Sequence, residues 1–175
     1  GNDSNALTRV VEVVDTTAPI LQLVGDSNVT SEVGFSYQDQ GAIWMDTVDG
    51  NGTVQSTGTV NVQVLGDYNL TYSYSDQAGN SGIDLNRTVH IRDTISPTIN
   101  FIQDEFTPFN LGDEISFPGV SAIDLYDGNV TSNMTVSEPV GFDSNQTGTY
   151  QFTFTASDSS GNITTVQKNI QIVNN

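Results

Sequence analysis

Apolar residues recur at every second position through most of the chain, interrupted at short intervals by Gly, Asn and Asp. No stretch holds the 3.6-residue period of an amphipathic helix. The alternation predicts strands near residues 20–24, 35–45, 54–64, 68–75 and 83–91, and again near 98–102, 115–123, 134–140, 150–157 and 163–173. In the run at 68–75, Tyr68, Leu70, Tyr72 and Tyr74 share one face, and Asn69, Thr71 and Ser73 share the other. Burying one aromatic side chain contributes ~1.5–3 kcal/mol, so such a face anchors a core. Gly-Asp, Asp-Gly-Asn and Ala-Gly-Asn clusters punctuate the strands as turns. Many short strands at this spacing predict an all-β protein of two-sheet sandwiches.

The pattern repeats. Asp15-Thr-Thr-Ala-Pro19 recurs as Asp93-Thr-Ile-Ser-Pro97, and at the same separation Asp46, Asp49, Gly50 and Asn51 recur as Asp124, Asp127, Gly128 and Asn129. The block from Gly66 and Tyr68 to Asp76-Gln-Ala-Gly79-Asn80 recurs as Gly148, Tyr150 and Asp158-Ser-Ser-Gly161-Asn162, at a slightly larger separation. Repeat 2 is therefore longer in its middle. The first residues supply a third, partial copy. Gly1, Asn2, Leu7, Arg9, Val11, Val13 and Asp15 match Gly79, Asn80, Leu85, Arg87, Val89, Ile91 and Asp93. Residues 1–14 therefore read as the last strand of a preceding repeat, 15–92 as repeat 1 and 93–175 as repeat 2. The chain reads as a section of a longer array. A boundary falling inside a repeat accounts for the leftover strand, and so does a strand donated to a neighbouring subunit's sheet edge.

Composition narrows the function. The 175 residues carry 21 acidic and four basic side chains, a net charge of -17. That surface repels phosphate backbones and anionic lipid, which argues against nucleic-acid and membrane-surface partners. No membrane span is visible in the hydropathy, so membrane insertion is not expected. Cysteine is absent, so neither disulfides nor thiolate metal sites hold the protein together. Asp outnumbers Glu, and Asp concentrates in turns and in oxygen-ligand metal loops.

The Asp15-Thr-Thr-Ala-Pro19, Asp46…Asp49-Gly50-Asn51 and Tyr68…Asp76-Gln-Ala-Gly79-Asn80 motifs, with their second copies, resemble the Ig-like repeats of bacterial and archaeal surface proteins. Repeats of this type are also appended to insecticidal crystal toxins, and the chain is similar to hyalin-type repeats too. The resemblance covers nearly the whole chain. It implies tandem Ig-like β-sandwiches arranged end to end, extracellular or at a cell surface, serving as spacers or adhesive modules.

In an Ig-like sandwich the start of the first strand, the B–C loop and the F–G loop lie at one pole. Asp15, Asp46–Asn51 and Asp76–Asn80 would occupy those three places. The expected metal ligands are therefore Asp15, Asp46, Asp49, Asn51, Asp76 and Asn80 in repeat 1. In repeat 2 they are Asp93, Asp124, Asp127, Asn129, Asp158 and Asn162. Converging carboxylates repel unless a cation neutralises them. Calcium takes six to eight oxygen ligands and fits better than magnesium, which wants fewer and a stricter geometry. The competing reading is plain turn chemistry, in which each Asp caps its own loop.

Asn-X-Ser/Thr occurs at nine positions. Asn28, Asn69, Asn86, Asn133 and Asn145 are glycosylation candidates, and Asn2 opens a further sequon. Asn51, Asn129 and Asn162 also open sequons but cannot readily serve both roles. Trp44, whose counterpart is Ala122, is expected to pack in the core or at an interface, and His90 to stand in solvent. Lys168, which matches Asn86, is not expected to form an isopeptide. No nucleophile–base constellation, phosphate loop or dinucleotide motif is present, and the paired carboxylates sit on turns. The expected function is a non-enzymatic extracellular structural or adhesive module stiffened by calcium, with neighbouring Ig-like repeats as partners. Two alternatives are a glycosylated filament or surface-layer subunit assembling with like subunits by strand donation, and a carbohydrate-binding accessory module of a secreted enzyme that meets surface glycans.

Overall fold

The computed structural model describes residues 7–103 and 105–174. The chain divides into two compact units, 1–92 and 93–175.

In the first unit, β1 (Ile20–Leu23), β3 (Ala42–Asp46) and β4 (Gly50–Val54) form one antiparallel sheet in the order β1-β3-β4. The second sheet has the order β2-β6-β5, from β2 (Asn28–Glu32), β5 (Gly66–Tyr72) and β6 (Leu85–Arg92). β2 runs parallel to β6, pairing Val29 with Val89. Val33, Ala42, Val54, Leu70, Tyr72, Val89 and Ile91 fill the space between the sheets. Leu70 and Tyr72 point inward and Asn69 outward, as the alternation requires.

The second unit repeats the scheme. β7 (Thr98–Phe101), β9 (Val120–Asp124) and β10 (Gly128–Asn129) form one sheet. β8 (Phe109–Asn110), β11 (Thr135–Ser137), β12 (Gly148–Ser157) and β13 (Ile163–Val173) form the other. A single 3₁₀ turn, Thr131–Asn133, leads into β11. The sheets of both units are those of Ig-like sandwiches.

Three expected strands differ, among them that at 115–123, which is strand only from Val120 onward. The stretch 35–41 is irregular, and β3 begins only at Ala42. Glycines with positive φ, Gly34 (81°) and Gly41 (76°), turn the chain at each end of it. The expected strand at 54–64 is the end of β4 followed by loop, touching β5 through a single bridge at Thr57. The short parallel strands β2 and β8 were not expected, because their patterns, NVTSE and FN, carry too little alternation to announce a strand.

Candidate metal centres

Asp15 precedes β1, Asp46 closes β3 at a tight turn, and Asp76 opens the loop before β6. These three positions are remote in sequence, yet one carboxylate oxygen from each lies within 4.8 Å of the others. Asp93, Asp124 and Asp158 form the same triad in the second unit. The Asp46 turn is a hairpin joining two strands of one sheet, not the sheet-to-sheet crossing that an Ig-type B–C loop would make. It reaches the shared pole because β3 ends beside the start of β1, where Met45 pairs with Ile20.

Each carboxylate divides its work. One oxygen braces its own loop. Asp46 Oδ1 accepts from Val48 N (2.7 Å) and Asp49 N (2.9 Å), and Asp124 Oδ1 accepts from Tyr126 N (2.7 Å) and Asp127 N (2.9 Å). Asp15 Oδ1 takes Thr17 N and Oγ1, and Asp93 Oδ1 takes Ile95 N. The second oxygens of Asp15, Asp93 and Asp124 are buried with no hydrogen-bond partner. An unpartnered buried carboxylate oxygen is costly. The turn-capping reading thus accounts for only half of each of these three side chains.

The asparagines act as struts. Asn80 Nδ2 donates to Asp76 Oδ2 (2.7 Å) and to the Asp15 carbonyl (3.3 Å). Asn162 Nδ2 does the same with Asp158 Oδ2 (2.7 Å) and the Asp93 carbonyl (3.2 Å). The two sites are built alike in these contacts. Asp49 and Asp127 lie outside the triads. Asp49 Oδ2 accepts from Gln77 N (2.7 Å), and Asp127 holds Ser159 through its backbone N–H (2.6 Å) and hydroxyl (2.8 Å). They tie the hairpin turn to the neighbouring loop. Asn51 and Asn129 are exposed and belong to neither triad.

Charge differs between the copies. Asp93 (8% exposed), Asp124 (3%) and Asp158 (6%) are all buried, whereas in the first unit only Asp76 is (7%). Burial pushes the Asp93 carboxyl above the usual carboxylate range, aided by the charges of Asp124 and Asp158 and opposed by bonds from Ser160 and Ile95. At Asp76 burial acts in the same direction but is outweighed by the Asn80 side chain and the loop's backbone N–H groups, so its pKa is lowered. No described ion pair neutralises either triad. Arg92 turns to Asp67 and the Gly66 carbonyl, Arg87 to Asp39, and Lys168 stands over the Phe101 ring.

Asn28, Asn69, Asn86, Asn133 and Asn145 are exposed, and Asn2 lies outside the described residues. Trp44 stacks on Tyr74 at 4.2 Å between ring centroids and packs on the core. His90 is not simply solvated, since its Nδ1 lies 2.7 Å from Asp67 Oδ1. In the second unit a cleft of about 450 Å³ is lined by Phe101, Phe106, Pro108 and Pro118. Its carboxylate, Asp113, accepts from Asn110 N.

Sequence reasoning missed two features. Arg87 is 1% exposed and its guanidinium meets Asp39, Tyr72 Oη and the carbonyls of Val24, Asp26 and Gly41. The signal was present, because Arg87 is in phase with Leu85, Val89 and Ile91 and so faces inward. The second is a tyrosine that bonds four residues back. Tyr68 Oη donates to the Val64 carbonyl (2.9 Å), and Tyr150 Oη to that of Gln146 (3.1 Å). A tyrosine corner of this kind marks Ig-type sandwiches.

Paired sheets, corner tyrosines and an acidic triad at one pole, each present twice, define a tandem Ig-like module. Residues 21–91 and 100–172 match the family model described as "Bacterial surface protein, Ig-like domain", and the chain belongs to that family. It is 31% identical, over 97% of its own length, to an uncharacterized 81.3 kDa protein of Acholeplasma phage L2, of which it spans 24%. Among solved structures it is similar to the M60 catalytic domain with the CBM51-1 and CBM51-2 domains of Clostridium perfringens ZmpB. That match has 11% identity and a TM-score of 0.47, over 90% of this chain and 31% of that one. It is also similar to the lipoprotein BT2262 of Bacteroides thetaiotaomicron, with 16% identity and a TM-score of 0.37, over 86% of this chain and 99% of that one. Among the described residues no helix is long and apolar enough to cross a membrane.

Proposed function

We propose that this chain is a non-enzymatic structural or adhesive section of an extracellular surface protein, and that each Asp triad binds one calcium ion. The observation that carries this reading is the unpartnered, buried second oxygen of Asp93 and of Asp124, in two side chains of a triad that no described ion pair neutralises. Calcium supplies the missing charge and completes its shell with carbonyl oxygens or water. Asp15, Asp46 and Asp76 would hold one ion, and Asp93, Asp124 and Asp158 the other. Each ion would clamp the start of a sandwich to two of its loops. Asp93 directly follows Arg92, the last residue of β6, so pinning it also removes slack from the chain between the repeats.

Calorimetry in calcium and in chelator, at matched ionic strength, tests this. A ligand at about 100 times its Kd adds about 2.7 kcal/mol, which raises the melting temperature visibly. Asp124→Asn provides the control, since the amide keeps the Oδ1 turn bonds and removes one repelling charge. The variant is expected to melt at or above the wild type in chelator and to lose the calcium-dependent rise of the second unit. A wild-type melting temperature indifferent to millimolar calcium would sink the proposal.

A further inference from the structure

The segment 7–14 is assigned to no strand and stands in solvent. Leu7 is 99% exposed, Val11 72% and Val13 91%. Soluble proteins seldom leave a row of apolar side chains uncovered, so such a row marks a surface with a partner. The internal repeat identifies the face concerned. Leu7, Arg9, Val11 and Val13 correspond to Leu85, Arg87, Val89 and Ile91, the inward row of β6. In β6 the last three of these are entirely enclosed, at 1%, 0% and 0% exposure.

Arg9 makes the inference specific. Its counterpart Arg87 is held by the carboxylate of Asp39, the hydroxyl of Tyr72 and three backbone carbonyls. The second unit answers the same positions with two phenylalanines and a lysine. Phe117 stands for Asp39 and Phe154 for Tyr72, their rings meeting edge to face at 4.9 Å. Lys168 takes the Arg87 position, pairing with Phe152 as Arg87 pairs with Leu70 and standing over the Phe101 ring. The arginine thus goes with the carboxylate and the tyrosine, and where both are phenylalanine a lysine over an aromatic ring replaces it.

We propose that residues 7–14 are the closing strand of a further Ig-like sandwich of the parent protein, and that this sandwich carries a buried Asp39–Tyr72–Arg87-type network with Arg9 as its arginine. Asp39 and Tyr72 both precede Arg87 in the chain. A carboxylate and a tyrosine are therefore expected at the same two distances before Arg9. The 81.3 kDa phage relative, of which this chain spans 24%, shows that such modules occur within much longer proteins.

Hydrogen exchange in chelator tests this independently of the calcium sites. The 175-residue chain is compared with the parent chain extended upstream by about one repeat length. Amides of residues 10–14 are expected to exchange at least ~100-fold more slowly in the longer chain, because they join a cooperative unit. Arg9→Ala in the longer chain should abolish that protection and leave β6 amides unchanged. Equal, fast exchange in both chains would overturn the proposal. So would protection that survives Arg9→Ala. Slow exchange already present in the shorter chain and rising with protein concentration would mean pairing with a second copy, and would overturn it too.

Discussion

At the scale of single residues, the two repeats solve one packing problem by opposite chemistry. The first buries an arginine and surrounds it with oxygen, and the second has phenylalanines in place of Asp39 and Tyr72 and sets Lys168 over the Phe101 ring. Seven of the eight phenylalanines fall in the second repeat, so its core can be hydrocarbon throughout. Removing one partner of a buried ion pair costs about 3–5 kcal/mol, whereas an apolar replacement of the whole set is often neutral. Asp39→Ala is therefore expected to destabilise the first unit by that order in denaturant melts. The triple change Asp39→Phe, Tyr72→Phe, Arg87→Met should recover much of the loss. Acid acts on the same network. Burial raises the Asp39 carboxyl, but bonds from Tyr72, Arg87 and Ser56 outweigh it and hold its pKa below the usual carboxylate value. The stability it contributes is complete above the unfolded carboxylate pKa and is lost as pH falls through the lower folded one. Acid titration of the melting temperature should show this loss in the first unit and not in the triple variant.

At the scale of elements, the metal centres depend on strands that end together. Trp44 and Asp46 share one face of β3, and Tyr74 lies two residues before Asp76. The Trp44–Tyr74 stack thus sits one step inward from two of the three carboxylates. Gly52 is part of the fit, since a Cβ there would lie 2.7 Å from Trp44 Nε1. An ion at the first triad would tighten both loops around this stack. Trp44 is the single tryptophan, so its emission reports the first unit alone. Calcium titration is expected to change that emission in the wild type and not in Asp46→Asn. The corner tyrosines supply a second element-level test. Tyr68→Phe and Tyr150→Phe each remove one hydrogen bond and should cost about 0.5–1.5 kcal/mol in thermal melts.

At the scale of the whole molecule, a net charge of -17 works against both compact units. Self-repulsion of this kind is screened by any salt. Sodium chloride alone is therefore expected to raise the melting temperature, gradually and without saturation at low concentration. Calcium acting at two built sites should saturate, and the chelator should reverse it. A calcium response that matches sodium chloride at equal ionic strength would mean screening and no site.

The sequence already carried the strand-rich character, the twofold repeat and the inward faces, because alternation and turn residues are local and need no partner to be read. Tyr68, Leu70 and Tyr72 lie on the side that their period assigns. It also named every carboxylate of both triads, through the recurrence of Asp15, Asp46 and Asp76. Local pattern could not separate those carboxylates from Asp49 and Asp127, which share the same turns yet bond across to Gln77 and Ser159. Nor could it show that Arg87 finds Asp39, far earlier in the chain, in an irregular stretch between two glycines. Which oxygen braces a loop and which is left without a donor depends on how distant strands end beside one another. Only the packed sandwich fixes that.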